Sequence, residues 1–209
     1  MTKAEKLAEL KAKMQADVTL PLRAGATQLV FGEGNPDTQI YFLGEAPGYF
    51  EDKAGRPFVG LAGKLLNKLI ESIGFKREEV YISNVVRFRP PANRDPEPQE
   101  LAAFAPYVNA EIKIIDPKVI VTLGRFSMNK FLPDVKISQV HGSSYNVDWE
   151  GQQVTVLPMY HPAAALRAGA IMNALKEDFL VIKKTLEAPI IINLDSKEET
   201  DGVNQLPLI

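Results

Sequence analysis

Two hydrophobic rhythms alternate along the chain. Short apolar runs at Gln39–Leu43, Val80–Ser83, Val119–Leu123 and Val154–Leu157 have the length of buried strands. Between them, apolar residues recur at helical spacing. Residues 3–16 place Leu7, Leu10 and Met14 on one face. Leu61–Ile73 does the same with Leu65, Leu66, Leu69, Ile70 and Ile73, and stops at Gly74. Further helices are predicted from about Pro98 to Ile115, from Gly124 through Phe131, and from Ala170 to Leu186. Residues 18–37, broken by two prolines and three glycines, are expected to be mostly irregular.

Strands separated by helix-length segments predict an α/β protein with a mostly parallel sheet, because each parallel crossover needs such a connection. Ligands in such sheets bind beyond the carboxyl ends of the strands. Three informative loops start there: GEAPG at 44–48, NVVRFRPP at 84–91 and YHPAA at 160–164. The candidate site is therefore expected where these loops meet.

Composition narrows the chemistry. The 209 residues contain no cysteine and two histidines, His141 and His161. Thiol nucleophiles, disulfides, thiolate-bound zinc and cysteine-ligated iron–sulfur clusters are excluded, as is a multi-histidine metal site. No apolar run approaches the roughly 18–20 residues of a membrane-spanning helix, and the charged N-terminus has no signal-like core, so a cytoplasmic protein is expected. The net charge of −2 is unevenly spread. From Glu187 onward five carboxylates face Lys197 alone, leaving a weakly basic body (+2) and an acidic tail (−4).

At the strand ends, Glu45 sits between Gly44 and Gly48, in a turn where backbone amides can approach a ligand. Asn84 closes the second run and offers a donor and an acceptor side by side, which suits the edge of a base. Phe58 lies in a glycine-rich loop and can stack on a planar guest. His161 follows the fourth run, while His141 has no partner legible in the sequence. Arg87, Arg89 and Arg94, with Lys53 and Arg56, are expected to form a basic rim for phosphates.

Six collinear segments together resemble the uracil-DNA glycosylase superfamily, family 4: VFGEGNP (30–36), GEAPG with Glu51-Asp52, GRPFVG (55–60), YISNVV (81–86), RPPANR (89–94) and HPAA (161–164). The resemblance covers about Val30 to Leu186. It implies a three-layer α/β/α sandwich around a four-stranded parallel sheet and hydrolysis of the deoxyuridine N-glycosidic bond in DNA. It further implies that Phe58 stacks on an extruded uracil, Asn84 reads its edge and Glu51 crowds C5 against thymine. His161 would donate to O2, Glu45 would position or activate water, and the Ala46 backbone would complete the pocket. Leu166 and Arg167 would supply a wedge and a phosphate contact.

The family normally holds a four-iron cluster on four cysteines. Those positions fall here at Asp17, Leu20, Phe88 and Phe104, so no cluster is expected, and the three apolar residues are expected to pack together in its place. The domain is read as residues 1–187, acting as a monomer. Residues 188–209 form an acidic tail whose last five residues, Gln205, Leu206, Pro207, Leu208 and Ile209, are similar to the peptides that bind bacterial sliding clamps. Two other functions remain open at this level. One is a uracil-sensing DNA-binding module without turnover; the other is a nucleotide hydrolase using GEAPG as a phosphate cradle.

Overall fold

A computed structural model describes residues 1–187; the proposed clamp-binding peptide lies outside the described residues. The first helix, α1 (Lys3–Ala16), opens with a reciprocal cap between Thr2 and Glu5. A two-residue strand, β1 (Glu33–Gly34), precedes β2 (Ile40–Gly44). Then come α2 (Tyr49–Ala54), α3 (Leu61–Ser72), β3 (Tyr81–Asn84) and α4 (Pro98–Ile115). The second half runs β4 (Val119–Leu123), α5 (Arg125–Asn129), α6 (Ile137–Val140), β5 (Tyr145–Trp149), β6 (Gln152–Met159), α7 (Pro162–Ala165) and α8 (Gly169–Glu187).

The sheet order is β1-β3-β2-β4-β6-β5. The four strands read as apolar runs form the parallel centre, β3-β2-β4-β6. The expectation of four strands is corrected to six, because an antiparallel strand closes each edge: β1 beside β3, and β5 beside β6. The β5–β6 hairpin turns at Glu150 and Gly151, both at positive φ, the backbone of a tight two-residue hairpin.

The pleat explains the layering. In β2, Tyr41 and Leu43 point into one core with Met14 of α1, Phe104 and Ile112 of α4, and Met128 of α5. Ile40 and Phe42 point into the other, with Leu66 and Ile70 of α3 and Phe179 and Ile182 of α8. Successive strand residues alternate faces, so a strand buried on both sides is almost continuously apolar, as β2 and β4 are, with Thr122 the polar exception in β4. The two cores make the sheet the rigid middle layer of a three-layer sandwich. From β2 the chain crosses first to β3 on one side and then back past β2 to β4 on the other. That reversal opens a crevice at the carboxyl ends.

Candidate active site

The crevice is a cleft of about 410 Å³ lined by residues from three strand ends, among them Glu45, Asn84 and His161. Glu45 follows β2, Asn84 ends β3, and His161 stands two residues beyond β6. The turn carrying Glu45 is tied down where β3 continues: Val85 N–H donates to the Gly44 carbonyl and Val86 N–H to that of Glu45, each at 3.0 Å. Phe58, Glu51, Ala46 and Arg167 line the same cleft. The structure thus gathers these seven expected residues around one cavity.

Local geometry shows why these residue types stand where they do. A Cβ on Gly44 would fall 2.6 Å from the Phe58 ring and would also strike Asn84 Oδ1. The bare glycine therefore lets an aromatic and an amide close over the strand end. Gly124, at φ +94, ends β4 in the same role, for a Cβ there would lie 3.1 Å from that of His161. Phe58 itself holds φ +51, an unusual conformation for an aromatic residue. Arg77 stabilises this loop by donating to the carbonyls of Pro57 and Phe58 while it is paired with Glu33 at 2.8 Å. Strain of this kind persists only where the surroundings fix it, and it concentrates at functional sites.

Hydrogen bonding leaves the cleft poised for a guest. Asn84 is buried, and its Oδ1 has no partner among the described residues. An unpaired buried acceptor is costly unless a ligand supplies the donor. Glu51 is held by the Val59 and Gly60 N–H groups at 2.9 and 2.8 Å, which fix its carboxylate against the cleft wall. His161 caps α7, its Nδ1 accepting from the Ala163 N–H at 3.1 Å. Burial, helped by the Arg167 charge and opposed by Glu51, lowers its pKa to about 4. The ring is therefore neutral at physiological pH. With Nδ1 accepting, its proton resides on Nε2, where it can be donated. Glu45 is shifted the other way: burial, reinforced by Asp95 and opposed by Arg125, raises it to about 7.

Asp95 and Arg125, which form an ion pair, were not among the residues singled out from the sequence, and Asp95 lines the cleft. The only sequence signal for Asp95 is its position directly after the RPPANR segment. His141, whose partner is not legible in the sequence, has one in the structure: its Nδ1 lies 2.9 Å from the Asp178 carboxylate, and its ring packs 4.5 Å from that of Tyr160, beside His161.

The basic rim is smaller than expected. Arg87 is no part of it: its side chain is 0% exposed and paired at 2.6 Å with the equally buried Glu111, which also accepts from Tyr41 at 2.5 Å. A charge this deep is retained because its partner neutralises it, so it cannot meet a phosphate. Arg56 is exposed but engaged by Glu33 at 2.7 Å, and Arg94 by Glu100 at 2.6 Å. Arg89 donates to Asn93 Oδ1 at 2.7 Å and lies over the Tyr49 ring, which Lys53 also approaches. Leu166, 48% exposed, projects beside Arg167 at the end of α7.

The four positions at which the family 4 resemblance implies cysteines do not suit a metal cluster here. The Asp17 carboxylate accepts hydrogen bonds from Thr19 and, at 2.6 Å, from Tyr107. Leu20, Phe88 and Phe104 are buried in the same apolar core, with the two phenyl rings 6.1 Å apart. Fully burying each such side chain contributes about 1.5–3 kcal/mol.

Comparison with known proteins bears on what this site does. A family model described as "Uracil DNA glycosylase superfamily" matches residues 31–181. A type-4 uracil-DNA glycosylase of Sulfurisphaera tokodaii is 46% identical over 175 residues, which is 81% of this chain and 80% of that protein. The enzyme of the same name from Saccharolobus solfataricus is 46% identical across 78% of each chain. That of Thermotoga maritima is 44% identical across 79% of this chain and 86% of its own.

Proposed function

The chain belongs to the uracil DNA glycosylase superfamily, and from that premise we propose that its cleft releases uracil from DNA by hydrolysing the N-glycosidic bond of deoxyuridine. The observation that carries the reading is the trio at the strand ends: an unpaired buried acceptor on Asn84, a neutral imidazole with a free Nε2–H on His161, and a carboxyl on Glu45 poised at about 7.

A base stacked in a duplex is out of reach of such a cleft, so the nucleotide swings out, at least cost in single strands and mismatches. Phe58 stacks on the extruded ring. Asn84 Oδ1 accepts from uracil N3–H while its amide donates to O4; cytosine, with N3 an acceptor and an amino group at position 4, presents the opposite pattern and leaves buried groups unpaired. Glu51, held by two backbone amides, stands against C5 and excludes the thymine methyl. The Ala46 backbone closes the wall.

The C1′–N1 bond then breaks with its electron pair going to uracil. The developing charge at O2 is met by His161 Nε2–H, a donor fixed in place before the reaction begins. Because the imidazole is neutral, it stabilises the anion without giving up its proton. The Glu45 carboxylate faces the cationic sugar, orients the water that adds to C1′, and takes its proton. Arg89 and Arg167 contact backbone phosphates, and Leu166 enters the space the nucleotide leaves.

The enzyme does this without an iron–sulfur cluster, as a cytoplasmic monomer, on residues 1–187; the QLPLI peptide at 205–209 docks it on a sliding clamp. Deleting residues 204–209 should abolish clamp capture and leave uracil release intact, and unchanged capture would end the clamp assignment. For the central reading, the protein is incubated with a uracil-containing oligonucleotide and excess chelator. Alkali-labile breaks confined to the uracil position are expected at an undiminished rate. Turnover of free nucleotides instead, or none at all, would leave one of the rival functions.

A further inference from the structure

Two large aromatic side chains stand at the mouth of the cleft with no role in the chemistry above. Tyr49 and Phe50 open α2 and are 49% and 61% exposed. Their rings meet edge to face at 5.5 Å, so each braces the other. The Arg89 guanidinium lies 5.2 Å from the Tyr49 ring centre, and the Lys53 ammonium 5.9 Å from it.

This cluster is continuous with the cleft. Glu51, the next residue of α2, is one of its walls, and so are Gly48 before the pair and Pro90 after Arg89. Phe50 also lies beside Gly60, whose N–H holds Glu51: a Cβ on Gly60 would be 3.4 Å from the Phe50 ring. Exposed aromatic faces flanked by cations, one residue from a nucleoside-sized cleft, match the way single strands are held. Bases stack on the rings while the charges meet the phosphates, and cation–π contact orders the arginine.

We infer that Tyr49 and Phe50, with Arg89 and Lys53, form a second stacking subsite, which takes the unpaired base flanking the extruded deoxyuridine and gives the enzyme a preference for single-stranded DNA. The inference rests on the glycosylase reading for its substrate, but not for its test. A duplex keeps the flanking bases stacked on one another and cannot use the platform, whereas a single strand can. Each base stacked on an aromatic side chain raises affinity several-fold or more, independent of sequence.

The test compares two single-stranded probes, each with one deoxyuridine: in one it is flanked by thymidines, in the other by abasic tetrahydrofuran units that keep every phosphate. Y49A/F50A should raise KM for the first probe about tenfold, leave the second unchanged, and keep kcat on both. Y49F/F50W should restore the wild-type value. Equal losses on both probes, or a loss on neither, would overturn the subsite, and an unshifted thermal midpoint would confirm that the double variant folds. The same ratio is read by equilibrium binding of uracil-free oligothymidylate against its abasic counterpart. That measurement judges the platform even if no uracil is released from any probe, a result that would sink the glycosylase reading alone.

Discussion

The strand-end cleft and the apolar knot around Phe88 and Phe104 stand under opposite constraints. The cleft keeps groups that a stable core would shed: an unpaired amide oxygen, a left-handed phenylalanine, a carboxyl pushed up to about 7 and an imidazole pushed down to about 4. The knot is built of rings and aliphatic chains, with its two phenyl rings 6.1 Å apart and the Arg23 guanidinium over the Phe88 face. It occupies the positions at which the family 4 resemblance implies metal ligands, while the residues to which that resemblance gives roles in the reaction gather in the cleft. Chemistry demands particular atoms at particular places. A structural staple asks only that α1, α4 and the segment after β3 be held together, and buried area serves that purpose as well as metal does.

The comparison predicts a double dissociation, and the largest effect should come from the knot. Phe104→Ala removes a fully buried ring and should cost about 3–5 kcal/mol of folding stability, measured by denaturant unfolding. Uracil release per folded molecule should not change. Were the variant as stable as the parent, the knot would not be the replacement staple. A loss of turnover at full stability would mean that the two regions are coupled.

His161→Ala should show the converse. Removing the donor proposed at O2 should lower the single-turnover rate roughly 10²–10³-fold, while stability falls only by about 0.5–2 kcal/mol, through loss of the cap that Nδ1 provides for the Ala163 N–H. A loss of less than tenfold would shift the anion's stabilisation to another group.

The two regions also differ in how far the sequence reveals them. The parallel centre was legible because strands buried on both faces are almost continuously apolar, as Ile40–Leu43 is and as Val119–Leu123 is but for Thr122. β5 escaped because it alternates: Tyr145, Val147 and Trp149 turn inward between Asn146 and Asp148, so no apolar run marks it. The cleft residues stood out as polar groups directly after apolar runs. Arg87 was misplaced for want of a long-range partner. It shares its spacing with the surface residue Arg89, and only Glu111, 24 residues away on α4, decides that one of the two is sealed in the core. The same blindness hid Asp95 and Arg125, since nothing local to Glu45 announces the charges that tune it.

That tuning supplies the smallest and most diagnostic effect. If the Glu45 carboxylate receives the proton of water, only its ionised form is active. Because burial and Asp95 raise its pKa to about 7, the rate should climb with pH, about tenfold per unit below 7, and level off above. His161 adds no limb in this range, because its proton balance changes near 4. Asp95→Asn removes the second-largest cause of the shift and leaves the Arg125 charge unopposed. The midpoint should therefore move to lower pH, raising the rate on the acid limb and leaving the plateau within a few-fold. Arg125→Gln should move it the opposite way. Glu45→Gln should abolish the limb altogether and leave a low, flat profile, whereas a profile that kept its midpoint would assign the titration to a different group. Phe104→Ala, compared at equal folded fraction, should leave the midpoint untouched. The acid limb thus reports on the cleft alone, and any drift of it with the packing around Phe88 and Phe104 would show that the staple, however it is built, reaches the chemistry.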